Sequence, residues 1–255
     1  MNKNSAFLPA ALLATALAGA SLPALAQDAA PTGPFGGNIS GSITLGTDYV
    51  FRGLSQTDDN PTVQGGLEFA FPSNSQYFQP YIGVWASNVD FGVDESIEVD
   101  YYAGFGGESA GFTYGASWLY YSYPDADNNL NYDYWELAAN VGYDLGVAAP
   151  EIGYAWSEDF FGNSGDAHYL YGAVAVPLPF VPDLSVTGTI GHQWIETNAA
   201  FGVQDYLNWS IVANYSAFTL DFALGYYDTD LSKVECFGGA TLCDARAVFT
   251  VSKAL

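Results

Sequence analysis

The sequence has little positive charge and no long apolar run. Only 5 of its 255 residues are Lys or Arg, against 28 Asp and Glu, and the formal net charge is −23. A nucleic-acid-binding surface needs clustered cationic groups to contact phosphates, so this class of protein is excluded. No stretch approaches the ~18–20 uninterrupted apolar residues of a transmembrane helix.

Apolar and aromatic residues are nevertheless abundant. Hydrophobic residues make up 49% of the chain and aromatic residues 16%, whereas charged residues make up only 13%. So much apolar surface has to be hidden from water. For an exported chain with little helical pattern, two classes remain: a periplasmic or secreted β-sandwich, and an outer-membrane β-barrel.

The first residues predict export. Residues 1–26 combine Lys3 with an apolar run and end on an Ala-x-Ala site, which is typical of a cleaved secretory signal peptide. Residues 27–37 are rich in Ala, Pro and Gly and predict a flexible tail. Residues 38–255 are therefore expected to form the folded domain.

Apolar and polar residues alternate with a period of two through the rest of the chain, and this pattern predicts β-strands. Most candidate strands are long enough for the ~9–11 tilted residues that cross a bilayer. Their number is even, as in bacterial single-chain barrels. The twelve predicted strands are 38–52, 62–72, 76–88, 96–107, 111–123, 132–145, 148–157, 167–177, 183–195, 204–216, 217–228 and 244–255.

The connections between these strands alternate between long polar segments and short turns. Residues 53–61 and 229–243 are examples of long connections, and 108–110 and 146–147 of short ones. Outer-membrane barrels show this asymmetry, with long external loops and tight periplasmic turns, whereas a sandwich has no reason to keep it. The alternation therefore favours the barrel.

The first strand shows the expected distribution of side chains. Ile43, Leu45 and Tyr49 fall on one face, and Asp48 and Arg52 on the other. An apolar outer face and a polar inner face suit lipid outside and water inside. We expect an all-β, antiparallel, up-and-down transmembrane barrel of about 12 strands, with short periplasmic turns and long acidic extracellular loops. It is expected in the outer membrane of a Gram-negative bacterium, in contact with lipid and lipopolysaccharide, as a monomer or homotrimer.

Several segments resemble the TorF family, a proteobacterial family of outer-membrane porins. The most specific is residues 48–66, DYVFRGLSQTDDNPTVQGG, followed by 81–91, 97–105 and 120–124. The ending also resembles the family, with one Cys followed by Cys-Asp-x-Arg. The resemblance covers essentially the whole mature chain. It implies an outer-membrane channel and brings no catalytic residues.

The charges predicted to face inward are mostly acidic. Rings of carboxylates favour cations, so we expect a narrow water-filled pore for passive, modestly cation-favouring diffusion of small hydrophilic solutes. The alternative is a plugged, non-conducting structural or adhesive barrel, in which the two arginines pair with acids and the loops carry the function. The predicted pore-lining residues are Arg52, Glu68, Glu98, Asp100, Glu136, Asp221 and Arg246.

Other candidate chemistry is sparse. Cys236 and Cys243 lie close together in the last long connection and predict a disulfide in an exported protein. The run from Ser164 to His168 is the only hint of hydrolase chemistry, and proximity in sequence does not make a nucleophile–base pair. We therefore predict no enzyme activity, no metal site and no cofactor.

Overall fold

The computed structural model describes residues 36–92 and 95–255. The predicted signal peptide and most of the predicted tail lie outside the described residues. None of the helices in the described part of the chain is long and apolar enough to cross a membrane.

In the described residues, the fold is a closed barrel of twelve antiparallel strands, in which consecutive strands are hydrogen-bonded to each other and the last strand to the first. Two further strands, β2 and β3, form a separate short hairpin. The strands are β1 (Asn38–Gly46), β2 (Val50–Phe51), β3 (Leu54–Ser55), β4 (Thr62–Ala70), β5 (Gln79–Asn88), β6 (Ile97–Ser109), β7 (Phe112–Ser122), β8 (Tyr134–Tyr143), β9 (Ala149–Ser157), β10 (Ala167–Pro177), β11 (Leu184–Ile195), β12 (Tyr206–Ala217), β13 (Leu220–Thr229) and β14 (Arg246–Ala254). Two short helices lie in the connections, a 3-10 turn (Asn128–Leu130) and α1 (Asn198–Phe201).

The barrel closes between its first and last strands. β1 pairs with β14 from Ser42 opposite Ala254 to Gly46 opposite Thr250, and on its other side with β4. Because closure leaves no unpaired edge, every strand can satisfy its backbone groups without water. The predicted all-β barrel and its strand count are confirmed.

The outer wall is apolar, as the alternation predicts. Leu45 and Val63 are opposite each other on β1 and β4, and each is 56% exposed. Their neighbours Thr44 and Gln64 point the other way and are buried. Side chains alternate along a strand, so one register presents an aliphatic surface outside and polar groups inside.

The long connections meet at one end of the barrel, here called the upper end, and the short ones at the lower end. The alternation holds except that residues 71–78 at the lower end are as long as residues 89–96 at the upper end. β4 stops at Ala70 and β5 starts at Gln79, so this lower connection is longer than the predicted one.

The first strand is shorter than predicted. β1 ends at Gly46 instead of continuing to residue 52, and residues 47–61 turn into the barrel. We call this segment the inner loop. The expectation that Tyr49 faces lipid is wrong, since its side chain is 2% exposed and packs inside with Tyr121 and Tyr134. The buried core of the molecule therefore sits in the upper half of the lumen.

Candidate functional site

A two-residue hairpin carries the inner loop across the lumen. β2 and β3 pair Phe51 with Leu54, and the two residues between them have positive φ, 47° at Arg52 and 85° at Gly53. Positive φ at both positions is the mark of a type I′ turn, which fits the twist of a tight hairpin. A Cβ on Gly53 would lie 2.8 Å from the Cβ of Asn208, so glycine lets the tip rest directly on β12.

Arg52 projects from this tip into a polar pocket on the wall. Its Nη1 and Nη2 donate to the two carboxylate oxygens of Glu136 at 3.0 and 2.7 Å, and Nη1 also donates to Gln193 Oε1 at 2.8 Å. The guanidinium carbon lies 4.3 Å from the centre of the Tyr169 ring. A bidentate ion pair with a cation–π contact fixes both the position and the orientation of the guanidinium.

The loop is held by a second set of hydrogen bonds to acidic side chains. Tyr49 donates to Glu98 Oε1 at 3.0 Å, and Tyr123 donates to Glu98 Oε2 at 2.7 Å. Tyr121 donates to Glu136 Oε2 at 3.0 Å. Both predicted carboxylates are therefore luminal and buried, and phenol hydroxyls from the loop and the wall satisfy part of their hydrogen-bonding capacity.

Asp100 lies on the same inner face of β6 as Glu98 and is fully buried. Neither of its carboxylate oxygens has a hydrogen-bond partner in the described part of the protein. A carboxyl group that is buried without a partner is costly to ionise.

Arg246 binds the inner loop from the last strand. Its Nη1 lies 3.0 Å from Asp48 Oδ2 and 2.5 Å from Asp59 Oδ1. Asp48 also accepts hydrogen bonds from Ser55 and Thr57 at 2.7 Å each. The polar residues of the distinctive 48–66 segment thus form the internal framework of the inner loop.

The remaining predicted pore residues lie in the lower half. Glu68, on the inner face of β4, is partly buried, and Asp221 lies at the lower end of β13, where Ser216 donates to it at 2.5 Å. Asp221, which was predicted to line the pore, therefore lies near the lower rim. Glu151 was missed, although it alternates inward on β9 and accepts from Tyr171 at 2.7 Å and from Asn140 at 3.0 Å.

Tyrosine rings in the lumen lie against glycines of the wall. A Cβ on Gly153 would come within 2.2 Å of the Tyr171 ring, and a Cβ on Gly83 within 2.2 Å of the Tyr102 ring. These glycines provide the space in which the rings pack flat on the backbone. The rings therefore line the wall instead of projecting towards the lumen axis.

The predicted disulfide is present. Cys236 and Cys243 are joined with an S–S distance of 1.99 Å. Both are buried in a cluster with Leu54 of the inner loop. The backbone N–H of Ser55 donates to the carbonyl of Leu242 at 2.8 Å, so the disulfide-closed connection covers the inner loop from above.

The groups weighed for hydrolase chemistry are not brought together. His168 Nδ1 lies 2.6 Å from the hydroxyl of Tyr154. Ser164 is fully buried, and its hydroxyl has no hydrogen-bond partner among residues 36–92 and 95–255. Within the same residues, no group of three or more His, Cys, Asp or Glu side chains is arranged to hold a metal ion.

Several solved structures share this fold. An outer membrane channel from Pseudomonas putida F1 superimposes with a TM-score of 0.57 at 11% identity, covering 90% of this chain and 98% of that chain. The NanC porin gives 0.53 at 10% identity, with 84% and 98% covered. The KdgM porin gives 0.52 at 7% identity, with 84% and 97% covered. No protein among the curated ones matches the sequence significantly.

A family model identifies the protein family to which the chain belongs. It matches residues 28–255, which is nearly the whole sequence. The chain therefore belongs to Gcw_chp, a family described as a bacterial protein of unknown function.

Proposed function

We propose that this chain is a porin-like channel of the outer membrane, through which small hydrophilic solutes diffuse passively with a modest preference for cations. The upper end, with its long acidic connections, faces the outside, and the lower end faces the periplasm. Residues 1–26 direct export and are removed. The apolar outer wall contacts lipid and lipopolysaccharide, as a monomer or a homotrimer.

The observation that carries this proposal is the excess of luminal carboxylates. The ion pairs of the described residues join Arg52 to Glu136, and Arg246 to Asp48 and Asp59. The other luminal acids have no such cationic partner there: Glu68, Glu98, Asp100, Glu151 and Asp221. Where they are ionised, unpaired carboxylates along a lumen attract cations and repel anions.

Three relatives in fold support the channel assignment, because their names describe them as an outer membrane channel and porins. The finer assignment to the TorF family remains a prediction, carried by the segments around residues 48–66 and 81–91.

The inner loop makes conduction conditional. Arg52 and Tyr49 cross the upper lumen, and the wall residues that they contact are buried. Ions therefore pass only when the loop moves away from Glu136 and Glu98. Water can replace the polar contacts of the tip when the loop swings out, whereas the apolar contacts of Phe51 and Leu54 are lost.

The test is single-channel recording of the refolded mature chain in a planar bilayer under a KCl gradient. Discrete current steps with a reversal potential on the cation side support the proposal. A folded, heat-modifiable barrel that stays silent at all voltages contradicts it.

The second candidate function is the plugged barrel that acts through its external connections. The buried inner loop, with Arg52 paired to Glu136, favours it. It predicts electrical silence both in the wild-type protein and in Arg52→Ala, which removes the ion pair between the inner loop and the wall. Current steps in the variant would exclude it.

A further inference from the structure

The pocket that holds Arg52 is formed by the barrel wall and not by the loop that inserts into it. Glu136 lies on β8, Tyr169 on β10 and Gln193 on β11. Each strand is held in the closed barrel by hydrogen bonds to two neighbours. The pocket therefore keeps its shape when the guanidinium leaves, as a pre-organised binding site does.

The guanidinium, by contrast, is carried by a short hairpin inside the barrel. Arg52 is at the tip of this hairpin, which has only two residues in each strand and therefore depends on its contacts with the surrounding residues. Its Nε has no hydrogen-bond partner in the described structure. A free guanidinium compound offers the same two-pronged donor geometry to Glu136 and can compete with Arg52 for it.

The surroundings of the pocket carry more carboxyl groups than Arg52 pairs with. Glu98 accepts only phenol hydrogen bonds in the described contacts, and Asp100 has no partner there. Both are buried and lie on β6, next to β7, which in turn pairs with β8 and Glu136. A cation that enters this region favours the ionised form of these carboxyl groups and can then pair with them.

We propose that Glu136, Gln193 and Tyr169 form a binding site for small solutes that bear a guanidinium group, and that Arg52 is the built-in competitor that occupies it in the resting protein. Binding of such a solute displaces Arg52 and releases the inner loop from the wall. The inference rests on the proposed function, because it names the solute class that the channel recognises.

Binding is measured first, independently of current. L-arginine and its uncharged isostere L-citrulline are titrated calorimetrically into the refolded mature chain in detergent. In the Arg52→Ala variant the pocket is vacant, and we expect L-arginine to bind at least about tenfold more tightly than L-citrulline, because a charge-assisted bidentate pair is lost with citrulline. The wild-type protein should bind L-arginine more weakly than Arg52→Ala, since Arg52 competes. Adding Glu136→Gln to Arg52→Ala should abolish the preference.

Current recordings then link binding to the loop. Millimolar L-arginine should lengthen the open periods of the wild-type channel in KCl, whereas L-citrulline should not. Each variant is first shown to be folded by the heat-modifiable shift of its band on a gel. A variant that fails this test is replaced by Arg52→Gln, which keeps much of the side-chain volume and removes the charge.

The two ideas fail in different ways. If the wild-type channel conducts KCl but Arg52→Ala binds L-arginine no better than L-citrulline, the guanidinium site is wrong and the channel stands. If all variants are electrically silent while Arg52→Ala still prefers L-arginine, and Glu136→Gln removes that preference, the site stands and the channel is wrong.

Discussion

Arg246 and Asp48 are 198 residues apart in sequence, and the Nη1 of Arg246 lies 3.0 Å from Oδ2 of Asp48. Arg246 begins the last strand, and Asp48 lies at the start of the inner loop, just after the first strand. The structure shows that Arg246 joins the last strand to the inner loop, while Arg52 reaches across the lumen to β8.

Replacing Arg246 should therefore loosen the inner loop. In Arg246→Ala, buried Asp48 loses its cationic partner, and we expect the free energy of unfolding to fall by about 3 kcal/mol. The measurement is urea unfolding of the refolded barrel, followed by tryptophan fluorescence. The matched control is Lys253→Ala on the same strand, where Nζ donates only to the carbonyl of Thr219 at the lower end. Equal losses in the two variants would contradict the role of Arg246.

The packing of tyrosine on glycine gives a second prediction. In Gly153→Ala the new methyl group would lie 2.2 Å from the Tyr171 ring, so the ring has to move away from the wall. We expect a loss of about 1–3 kcal/mol in the free energy of unfolding, as for other overpacked sites. Gly188→Ala is the control, since nothing lies within 4 Å of its Cβ position. Equal unfolding curves for the two variants would show that the ring moves without cost.

The lower lumen gives a third prediction, for the carboxylates that we propose set the selectivity. Glu68→Gln combined with Glu151→Gln removes two luminal charges while keeping side-chain volume. We expect the cation-to-anion permeability ratio to fall about twofold, because the local potential falls with each carboxylate removed. Reversal potentials under a KCl gradient measure it. Glu158→Gln, in an exposed upper connection, should leave the ratio unchanged. A double variant with the wild-type ratio would exclude these carboxylates from selectivity.

The disulfide should stabilise the inner loop as well as its own connection. With both cysteines replaced by serine, we expect the free energy of unfolding to fall by about 2 kcal/mol, because a short closed loop no longer restricts the unfolded chain. Open periods should also lengthen, since the buried disulfide packs with Leu54. Thermal unfolding and bilayer recordings test the two parts. Val234→Ala, an 82% exposed position in the same connection, serves as the control.

A contact between two upper connections should depend on pH. The Ser96 hydroxyl and backbone N–H both donate to Asp125, and these hydrogen bonds hold the pKa of that carboxyl below its usual value. A lowered pKa means that the contact is fully formed above about pH 4, the ordinary pKa of aspartate, and is lost as the pH falls through the lowered value. In Ser96→Ala the pKa should rise towards the ordinary value. The chemical shift of the Asp125 carboxyl carbon, measured as a function of pH, tests this. A titration midpoint that is the same in Ser96→Ala and the wild-type protein would contradict the prediction.

Much of the barrel was predictable from the sequence. Ten or more alternating residues, such as those of β8 and β12, define both a strand and the face that it turns outward, because alternation is a local property. Glu98, Asp100 and Glu136 were assigned to the lumen on the same ground. Glu151 was missed, although the alternation of β9 also places it at an inward-facing position.

The course of residues 47–61 was not predictable in this way. Tyr49 and Phe51 continue the alternation of β1, and nothing local shows that the chain leaves the wall after Gly46. What draws it inward are partners distant in sequence: Glu136 and Gln193 for Arg52, and Arg246 for Asp48.

The sequence by itself thus determined a closed twelve-stranded barrel with an apolar exterior and an acidic lumen, since the distribution of polarity along each strand is local. Only the tertiary structure decided that the upper lumen is filled, and by which segment. The physical reason is that the partners of Arg52 become neighbours only when the barrel closes and brings β8, β10 and β11 opposite the first strand.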